Sequence, residues 1–277
     1  MPAATLPIQL LTLFAGSVAG MLGAMLGIGG GVFLVPFLNL ALGFPYQVSA
    51  AISLTTVIAT SSSVSAARSG RHLINMRLGM TLEVATAAGA LLGGLTAREL
   101  SQSTLQLLFG VVTVMTAVAM LRRMKRRNVI LDPDVSPGRL GGRFHEDESG
   151  GWVTYRVKRL PLGLAASFIA GNLSSLLGIG GGVVKVPVLN AWCGVPMRAA
   201  AATSAFMIGV TATAGAVIYY GQGLLIPVLA AAAIVGVQIG SWAGIHVAAR
   251  TKAKWLKLLM AIVLFVVSAL MIWRGLR

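Results

Sequence analysis

The stretch Gly27-Ile28-Gly29-Gly30-Gly31, followed closely by Val35-Pro36, decides how this chain can fold. It returns 151 residues later as Gly178-Ile179-Gly180-Gly181-Gly182, again followed by Val186-Pro187. Each occurrence interrupts an otherwise apolar segment with glycine and proline, the two residues that helix interiors tolerate least. The duplicated interruption indicates two copies of one unit, each containing a helix broken at glycine.

The repeat extends well beyond these motifs. The offset of 151 residues also pairs Asn39 with Asn190, Gly43 with Gly194, Pro45 with Pro196, Ser53 with Ser204, Gly89 with Gly240 and Gly93 with Gly244. Because no gap is needed, about 8–122 and 159–273 correspond residue by residue. The sequence therefore predicts a first repeat over 1–121, a linker over 122–158 and a second repeat over 159–277.

The composition places both repeats in a membrane. Hydrophobic residues make up 56% of the 277 residues and charged residues only 10%, whereas soluble domains carry about 25% charged residues. Several segments with almost no charge reach the length of about 18 residues at which a helix can cross the hydrocarbon core. We therefore expect an all-α, polytopic membrane protein whose repeats are both transmembrane.

The net charge of +15 does not indicate a nucleic-acid partner. The basic residues are confined to short segments between the apolar runs, as the positive-inside rule produces. Their position predicts orientation in the membrane and an affinity for anionic lipid headgroups.

Each repeat contains five apolar runs. They cover 8–26, 32–42, 48–67, 78–97 and 104–121 in the first copy, and 160–177, 183–193, 199–219, 224–248 and 255–273 in the second. The second run of each copy has only 11 residues, which as a helix rise about 16 Å, or half a bilayer. We expect the chain to bend back or break at the glycine cluster before it.

The distribution of basic residues favours inverted copies. If the copies cross in opposite directions, Arg68, Arg71 and Arg77 fall on the same side as the cluster 250–257 and the linker. That side must be the cytoplasm. The sequence thus predicts two inverted-topology repeats in a bacterial-type inner membrane. The linker, with proline, glycine and mixed charges, is expected to be a flexible cytoplasmic connector.

The glycine clusters admit two interpretations. Glycine exposes backbone N–H groups, and at the start of a helical arm these attract anions. Small residues four apart can instead allow close helix packing. For Gly89, Gly93, Gly240 and Gly244 we expect packing. For Gly29, Gly30, Gly31, Gly180, Gly181 and Gly182 we expect a lined binding site, since matching breaks in two repeats point to one.

Lys185 is a basic residue within the short second apolar run of the second copy, and its counterpart in the first copy is Leu34. A lysine at membrane depth is costly and is by default a functional hypothesis. We expect it to supply positive charge to an anion beside the glycine amides. The alternative is a side chain that snorkels to the interface.

Polar residues placed symmetrically in the copies extend this candidate site. Asn39 and Asn190 offer both donors and acceptors, and Ser53, Thr203 and Ser204 offer hydroxyls. All five are predicted to bind substrate, with interhelical hydrogen bonds as the alternative.

Two further titratable residues lie in the fourth runs. We expect Glu83 to pair with Arg77 or Arg68 near the interface, with proton carriage as the alternative. His246 is expected to be a hydrogen-bonded helix residue.

Motifs for enzyme chemistry are missing from the sequence. It contains no Walker A, HExxH, GxSxG or Cys/His metal spacing, so an enzyme, a cofactor and a bound metal are not expected. The single cysteine, Cys193, cannot form an internal disulfide.

The doubled Gly-Ile-Gly-Gly-Gly with Val-Pro, together with Ala202-Thr203-Ser204 and Arg68-Ser69-Gly70, resembles the sulfite exporter TauE/SafE family of membrane permeases. The resemblance covers both repeats. It implies a transporter that moves anionic sulfur compounds, such as sulfite or sulfonates, usually outward. The first copy departs from the pattern at Ile52-Ser53, which questions equal participation of the two halves.

The sequence therefore predicts an exporter of small anions that works by alternating access of two repeats. Its expected partners are a small anionic substrate and membrane lipid, with coupling to protons or cations left open. An anion channel or a non-transporting membrane scaffold is the alternative. The sequence does not predict an oligomeric state.

Overall fold

The computed structural model describes residues 5–26, 29–69, 73–122, 136–146, 151–250 and 253–276. The helices of the first copy are α1 (Leu6–Leu26), α2 (Gly31–Pro36), α3 (Tyr46–Ser69), α4 (Met76–Thr96) and α5 (Gln102–Arg122). Those of the second are α6 (Leu160–Leu177), α7 (Gly182–Ala191), α8 (Met197–Gly221), α9 (Pro227–Arg250) and α10 (Ala253–Gly275). Between them, strands β1 (Gly142–Glu146) and β2 (Gly151–Tyr155) form an antiparallel hairpin.

The prediction of an all-α, polytopic membrane protein is confirmed. Among the described residues, six helices are apolar and long enough to span a bilayer, namely Leu6–Met25, Tyr46–Ala67, Met76–Thr96, Leu160–Leu177, Met197–Gly221 and Pro227–Val247. The second segment of each copy is short, as the sequence predicts. In the first copy it continues beyond Pro36 as a π-helix over Phe37–Ala41, whereas in the second copy the α-helix continues past the equivalent Pro187 to Ala191.

Equivalent helices exchange partners between the copies. Helix α1 packs along α9, and its equivalent α6 packs along α4, the equivalent of α9. Helix α3 packs on its own equivalent α8, and α5 on α10. Every one of these pairings joins one copy to the other, so neither copy is an independent bundle.

Glycines allow the closest of these pairings. A Cβ on Gly89 would collide with the carbonyl oxygen of Phe168, and a Cβ on Gly240 would collide with that of Ser17, the equivalent residue. Gly93 and Gly244 face Asn172 and Met21 in the same way. The packing interpretation of these four glycines is confirmed, because only glycine lets the backbones approach so closely.

Helices α3 and α8 run antiparallel. Leu54, early in α3, contacts Gly215, late in α8. Ser61, later in α3, donates a hydrogen bond to the carbonyl of Ala205, early in α8. These two helices occupy equivalent positions in the repeat and point in opposite directions.

The linker differs from the expected flexible connector. In the hairpin, Phe144 pairs with Val153 in register, and both are buried together with Tyr155 against Leu78 and Val186 of the helices. Three apolar side chains on one face stabilise the hairpin although the segment is polar on average. The predicted basic run 123–127, Asp147 and Glu148 lie outside the described residues, as do Arg71 and Lys252.

Asn75 fastens the hairpin to the start of α4. Its Oδ1 accepts a hydrogen bond from the N–H of Leu78 at 3.0 Å, which caps the helix. Its Nδ2 donates to the carbonyl of Leu140 at 2.8 Å and to the hydroxyl of Tyr155 at 3.0 Å. Burial raises the pKa of Tyr155, so this hydroxyl remains neutral at physiological pH.

Candidate functional site

The two glycine breaks meet inside the protein. A Cβ on Gly29 would lie 3.1 Å from Cγ1 of Val57 and 3.5 Å from Cγ2 of Ile208, and one on Gly180 would lie 2.6 Å and 2.9 Å from the same two atoms. Val57 and Ile208 are themselves equivalent residues near the middle of α3 and α8. A Cβ on Gly31 would lie 2.5 Å from the carbonyl oxygen of Gly178. Both breaks therefore share one location between the copies.

The chain folds back on itself at each break. Gly30 lies against the carbonyl of Ala19, and Gly181 lies against that of the equivalent Ala170. Both glycines precede a short helix in the left-handed conformation, with φ of 68° and 71°, which side chains rarely adopt. Of the two expected outcomes, a chain that bends back or a helix that breaks, the described residues show the chain bending back; Gly27 and Ile28 lie outside them.

The end of α6 is fastened by side chains from α3 and α8. Ser53 Oγ donates to the carbonyl of Gly178 at 2.6 Å, and the Tyr46 hydroxyl donates to that of Leu177 at 3.1 Å. The Tyr219 hydroxyl donates to the carbonyl of Ser175 at 3.1 Å. Carbonyls at a helix end have no partner within the helix, and in a membrane they must find one in the protein. Ser53 thus joins the break of the second copy to the first.

The two asparagines lie at the other ends of the short segments. Asn39 Nδ2 donates to the carbonyl of Phe44 at 2.8 Å, and Asn190 Nδ2 donates to that of the equivalent Val195 at 2.9 Å. Asn39 Oδ1 also accepts a hydrogen bond from Gln106 Nε2 at 2.7 Å. These contacts close the turns before α3 and α8, and they do not bring the asparagines to the glycine breaks.

Thr203 and Ser204 have different environments. Thr203 Oγ1 accepts a hydrogen bond from the N–H of Asn75 at 3.0 Å, so it supports the start of α4. Ser204, the equivalent of Ser53, is fully buried. Its hydroxyl has no hydrogen-bond partner in the part of the chain that the structure describes, and a ligand could supply one.

Lys185 forms an ion pair inside the helix bundle. Its Nζ lies 3.5 Å from Oε2 of Glu83, with both side chains buried. Nζ also donates to Thr211 Oγ1 at 2.7 Å, and this hydroxyl donates to Glu83 Oε1 at 2.6 Å. The expectation that Glu83 pairs with Arg77 or Arg68 is therefore wrong, because α7 brings Lys185 to it. Lys185 does not snorkel, since only 2% of its surface is exposed.

The pair is incompletely satisfied. A lysine ammonium can donate three hydrogen bonds, and among the described residues Nζ donates one, to Thr211. Oε2 of Glu83 accepts none there, although the ammonium is near. A buried charge needs both a partner and hydrogen bonds. Nζ and Oε2 can therefore still form hydrogen bonds with another polar group.

Thr211, which joins Lys185 to Glu83, is the residue of this group that sequence reasoning missed. Its equivalent, Thr60, is also a threonine, so the position does not stand out. A signal was nevertheless present: Glu83 and Lys185 are opposite charges at apolar positions, and their equivalents Ile234 and Leu34 are both apolar. Two unmatched charges of opposite sign indicate a pair.

A small cavity of about 10 Å³ lies on the first-copy side of the breaks. Its lining residues are Gly23, Gly29, Thr60, Ser61, Val64, Ala205 and Ile208. This volume holds about one water molecule. Within the described residues, no three His, Cys, Asp or Glu side chains come together as a metal ion would require.

Comparison with known proteins agrees with this architecture. The family model described as sulfite exporter TauE/SafE matches residues 12–271. The chain is 26% identical over 267 residues to the probable membrane transporter protein YunE of Bacillus subtilis, covering 94% of this chain and 96% of the relative. It is 24% identical over 277 residues to a probable membrane transporter protein of Methanocaldococcus jannaschii, covering 95% and 94%. No solved structure matches the chain.

Proposed function

This chain belongs to the sulfite exporter TauE/SafE family, a family of membrane transporters, and we propose that it exports small sulfur oxyanions. The substrates we propose are sulfite or short organosulfonates. The protein moves them across the inner membrane by alternating access of its two repeats, with the linker in the cytoplasm.

The meeting of the two glycine breaks carries this proposal. Gly29 and Gly180 contact the same pair of side chains between α3 and α8. Discontinuous helices that meet at a repeat interface form the substrate sites of many secondary transporters. Amides at the start of α2 and α7 attract anions.

The directions of the helices support inverted topology. Helices α3 and α8 are equivalent and antiparallel, with Leu54 near Gly215 and Ser61 near Ala205. If both span the membrane, the two copies cross it in opposite directions. Combined with the basic residues of the loops, this supports a cytoplasmic linker.

We propose that the predicted site residues divide between two roles. The amides of Gly29, Gly30 and Gly180–Gly182, the Ser204 hydroxyl and the Lys185 ammonium contact the anion. The Gly31 N–H already donates to the carbonyl of Gly29 at 2.7 Å, so Gly31 shapes the break. Ser53, Asn39, Asn190 and Thr203 hold the surrounding backbone through the hydrogen bonds described above. The second group shapes the site without binding substrate directly.

The test is transport of sulfite and methanesulfonate by the purified full chain in proteoliposomes. A carrier should show saturable uptake and counterflow, in which unlabelled anion inside accelerates entry of labelled anion. The double variant Glu83→Ile with Lys185→Leu replaces each charged residue by the residue at the equivalent position of the other copy, and should abolish transport. The matched control Leu34→Met should retain it.

Other outcomes would contradict the proposal. Flux without saturation or counterflow would favour an anion channel. Absence of both flux and anion binding by the folded wild-type protein would favour a membrane scaffold.

A further inference from the structure

The buried group formed by Glu83, Lys185 and Thr211 combines one negative and one positive charge. The equivalent positions, Ile234, Leu34 and Thr60, carry no charge. Glu83 comes from the first copy, and Lys185 and Thr211 come from the second. We propose that Lys185 exchanges the Glu83 carboxylate for a substrate anion when Glu83 takes up a proton, so that one proton is taken up for each monovalent anion bound. This inference rests on the proposed function, and it specifies a proton-linked binding step and the charge of the substrate.

The exchange is expected because the buried site must keep a net charge of zero. Before binding, one carboxylate and one ammonium give a net charge of zero. If an anion joined this pair, an uncompensated negative charge would be buried at a cost of several kcal/mol. If Glu83 first accepts a proton from water, the anion and the ammonium again sum to zero. The proton adds to Oε2, the carboxylate oxygen without a hydrogen-bond partner among the described residues.

Thr211 lets the ammonium stay in place during this exchange. Its hydroxyl accepts a hydrogen bond from Lys185 Nζ at 2.7 Å and donates one to Glu83 Oε1 at 2.6 Å. Both bonds can persist when Glu83 is neutral, because Oε1 remains an acceptor. The separation of 3.5 Å between Nζ and Oε2 is thus the contact that the anion replaces.

Other titratable groups do not substitute for this pair. Among the residues that the structure describes, α6 carries no titratable residue, and on α8 Arg198 lies at the first turn and Tyr219 and Tyr220 at the last. Arg77 lies at the first turn of α4, beyond Glu83. Tyr155 and Cys193 pack in the apolar cluster with Leu82. Lys185 is the charged group in contact with Glu83.

The charge balance also selects the substrate. An anion with one negative charge, such as an alkanesulfonate or hydrogen sulfite, restores neutrality with one proton. A dianion such as sulfate leaves a net negative charge in the buried site. We therefore expect methanesulfonate to bind at least tenfold more tightly than sulfate.

Calorimetric titration of the full chain with methanesulfonate tests the inference. Methanesulfonate stays ionised throughout the accessible pH range, so any proton taken up must go to the protein. Titrations in buffers of different ionisation enthalpy should give one proton taken up per anion bound. Affinity should then fall by about tenfold for each unit of pH increase wherever free Glu83 is ionised.

The variants separate this mechanism from simple binding. Glu83→Gln fixes the neutral state, so its binding should take up no proton and should not depend on pH. Glu99→Gln removes an exposed carboxylate just beyond the same helix and should behave as wild type. Binding by the wild type without proton uptake, or unchanged uptake in Glu83→Gln, would overturn the inference alone. A folded wild type that binds neither methanesulfonate nor sulfite would overturn the proposed function as well.

Discussion

The two copies have the same backbone plan and different chemistry at equivalent positions. Around Gly29 and Gly180 both chains fold back, and both breaks contact Val57 and Ile208. Yet Lys185 stands where the first copy has Leu34, and its partner Glu83 stands where the second copy has Ile234. The repeat thus gives the two sides of the interface the same backbone, and only one side carries charge.

A small cavity lies on the side without charge. The cavity of about 10 Å³ borders Gly29 and Thr60, whereas Thr211, the equivalent of Thr60, is bonded to Lys185. An exact copy of the charged side would place two ion pairs close together in low dielectric, where each carries its own desolvation cost. One charged side and one neutral side suffice for a single anion.

The comparison assumes that the two copies are inverted, and thiol labelling tests this assumption directly. With Cys193 replaced by alanine, a cysteine at Ser69, the end of α3, should react with an impermeant reagent only from the cytoplasm. A cysteine at Gly221, the end of α8, should react only from outside, because equivalent helices end on opposite sides. Gln47→Cys should also react from outside. Labelling of Ser69→Cys and Gly221→Cys from the same side would end the inverted model.

Removing the charge from the second copy should have the largest effect on stability. Lys185→Met alone leaves the buried Glu83 without its cation, and losing one partner of a buried pair costs about 3–5 kcal/mol. Glu83→Ile with Lys185→Leu removes both charges and should be at least as stable as wild type, although inactive. Thermal unfolding in detergent measures the difference in Tm. Equal stability of the single and double variants would mean that the pair is not coupled.

Much of this fold could be predicted from sequence, because it depends on local pattern and internal repetition. The predicted second run at 183–193 is α7, Gly182–Ala191, since glycine and proline mark its position directly. The packing role of Gly240 follows equally from the spacing of small residues.

The contact between Glu83 and Lys185 was harder to predict, because it depends on distant segments and the sequence signals it only through two unmatched opposite charges. Glu83 and Lys185 meet only when α4 of one copy packs against α7 and α8 of the other, and no local pattern specifies that approach. The hairpin was missed for a related reason. Phe144, Val153 and Tyr155 are few, but they pair onto one buried face.

The breaks themselves should differ in sensitivity between the copies. Gly180→Ala places a Cβ 2.6 Å from Val57 Cγ1 at φ 74°, and Gly29→Ala places one 3.1 Å from the same atom at φ 86°. Both substitutions introduce backbone strain of about 1–3 kcal/mol. The shorter distance to Val57 adds a stronger steric clash in Gly180→Ala. We expect Gly180→Ala to lower the Tm more, and Val57→Ala to recover part of that loss. Equal effects of the two substitutions would show that the breaks pack equivalently.

The smallest effect should come from the two equivalent serines, which separate structure from binding. Ser53→Ala leaves the buried carbonyl of Gly178 without its donor, a loss of about 1–3 kcal/mol in the free energy of unfolding. Ser204→Ala removes a hydroxyl that has no partner among the described residues, so its effect on the free energy of unfolding should be less than about 0.5 kcal/mol.

If Ser204 contacts the anion, its substitution should instead weaken methanesulfonate binding by about threefold to tenfold, the equivalent of one neutral hydrogen bond. Thermal unfolding and calorimetry on the same two variants measure both quantities. A Ser204→Ala protein with wild-type affinity would remove Ser204 from the site, and the anion would then be held by the glycine amides and Lys185.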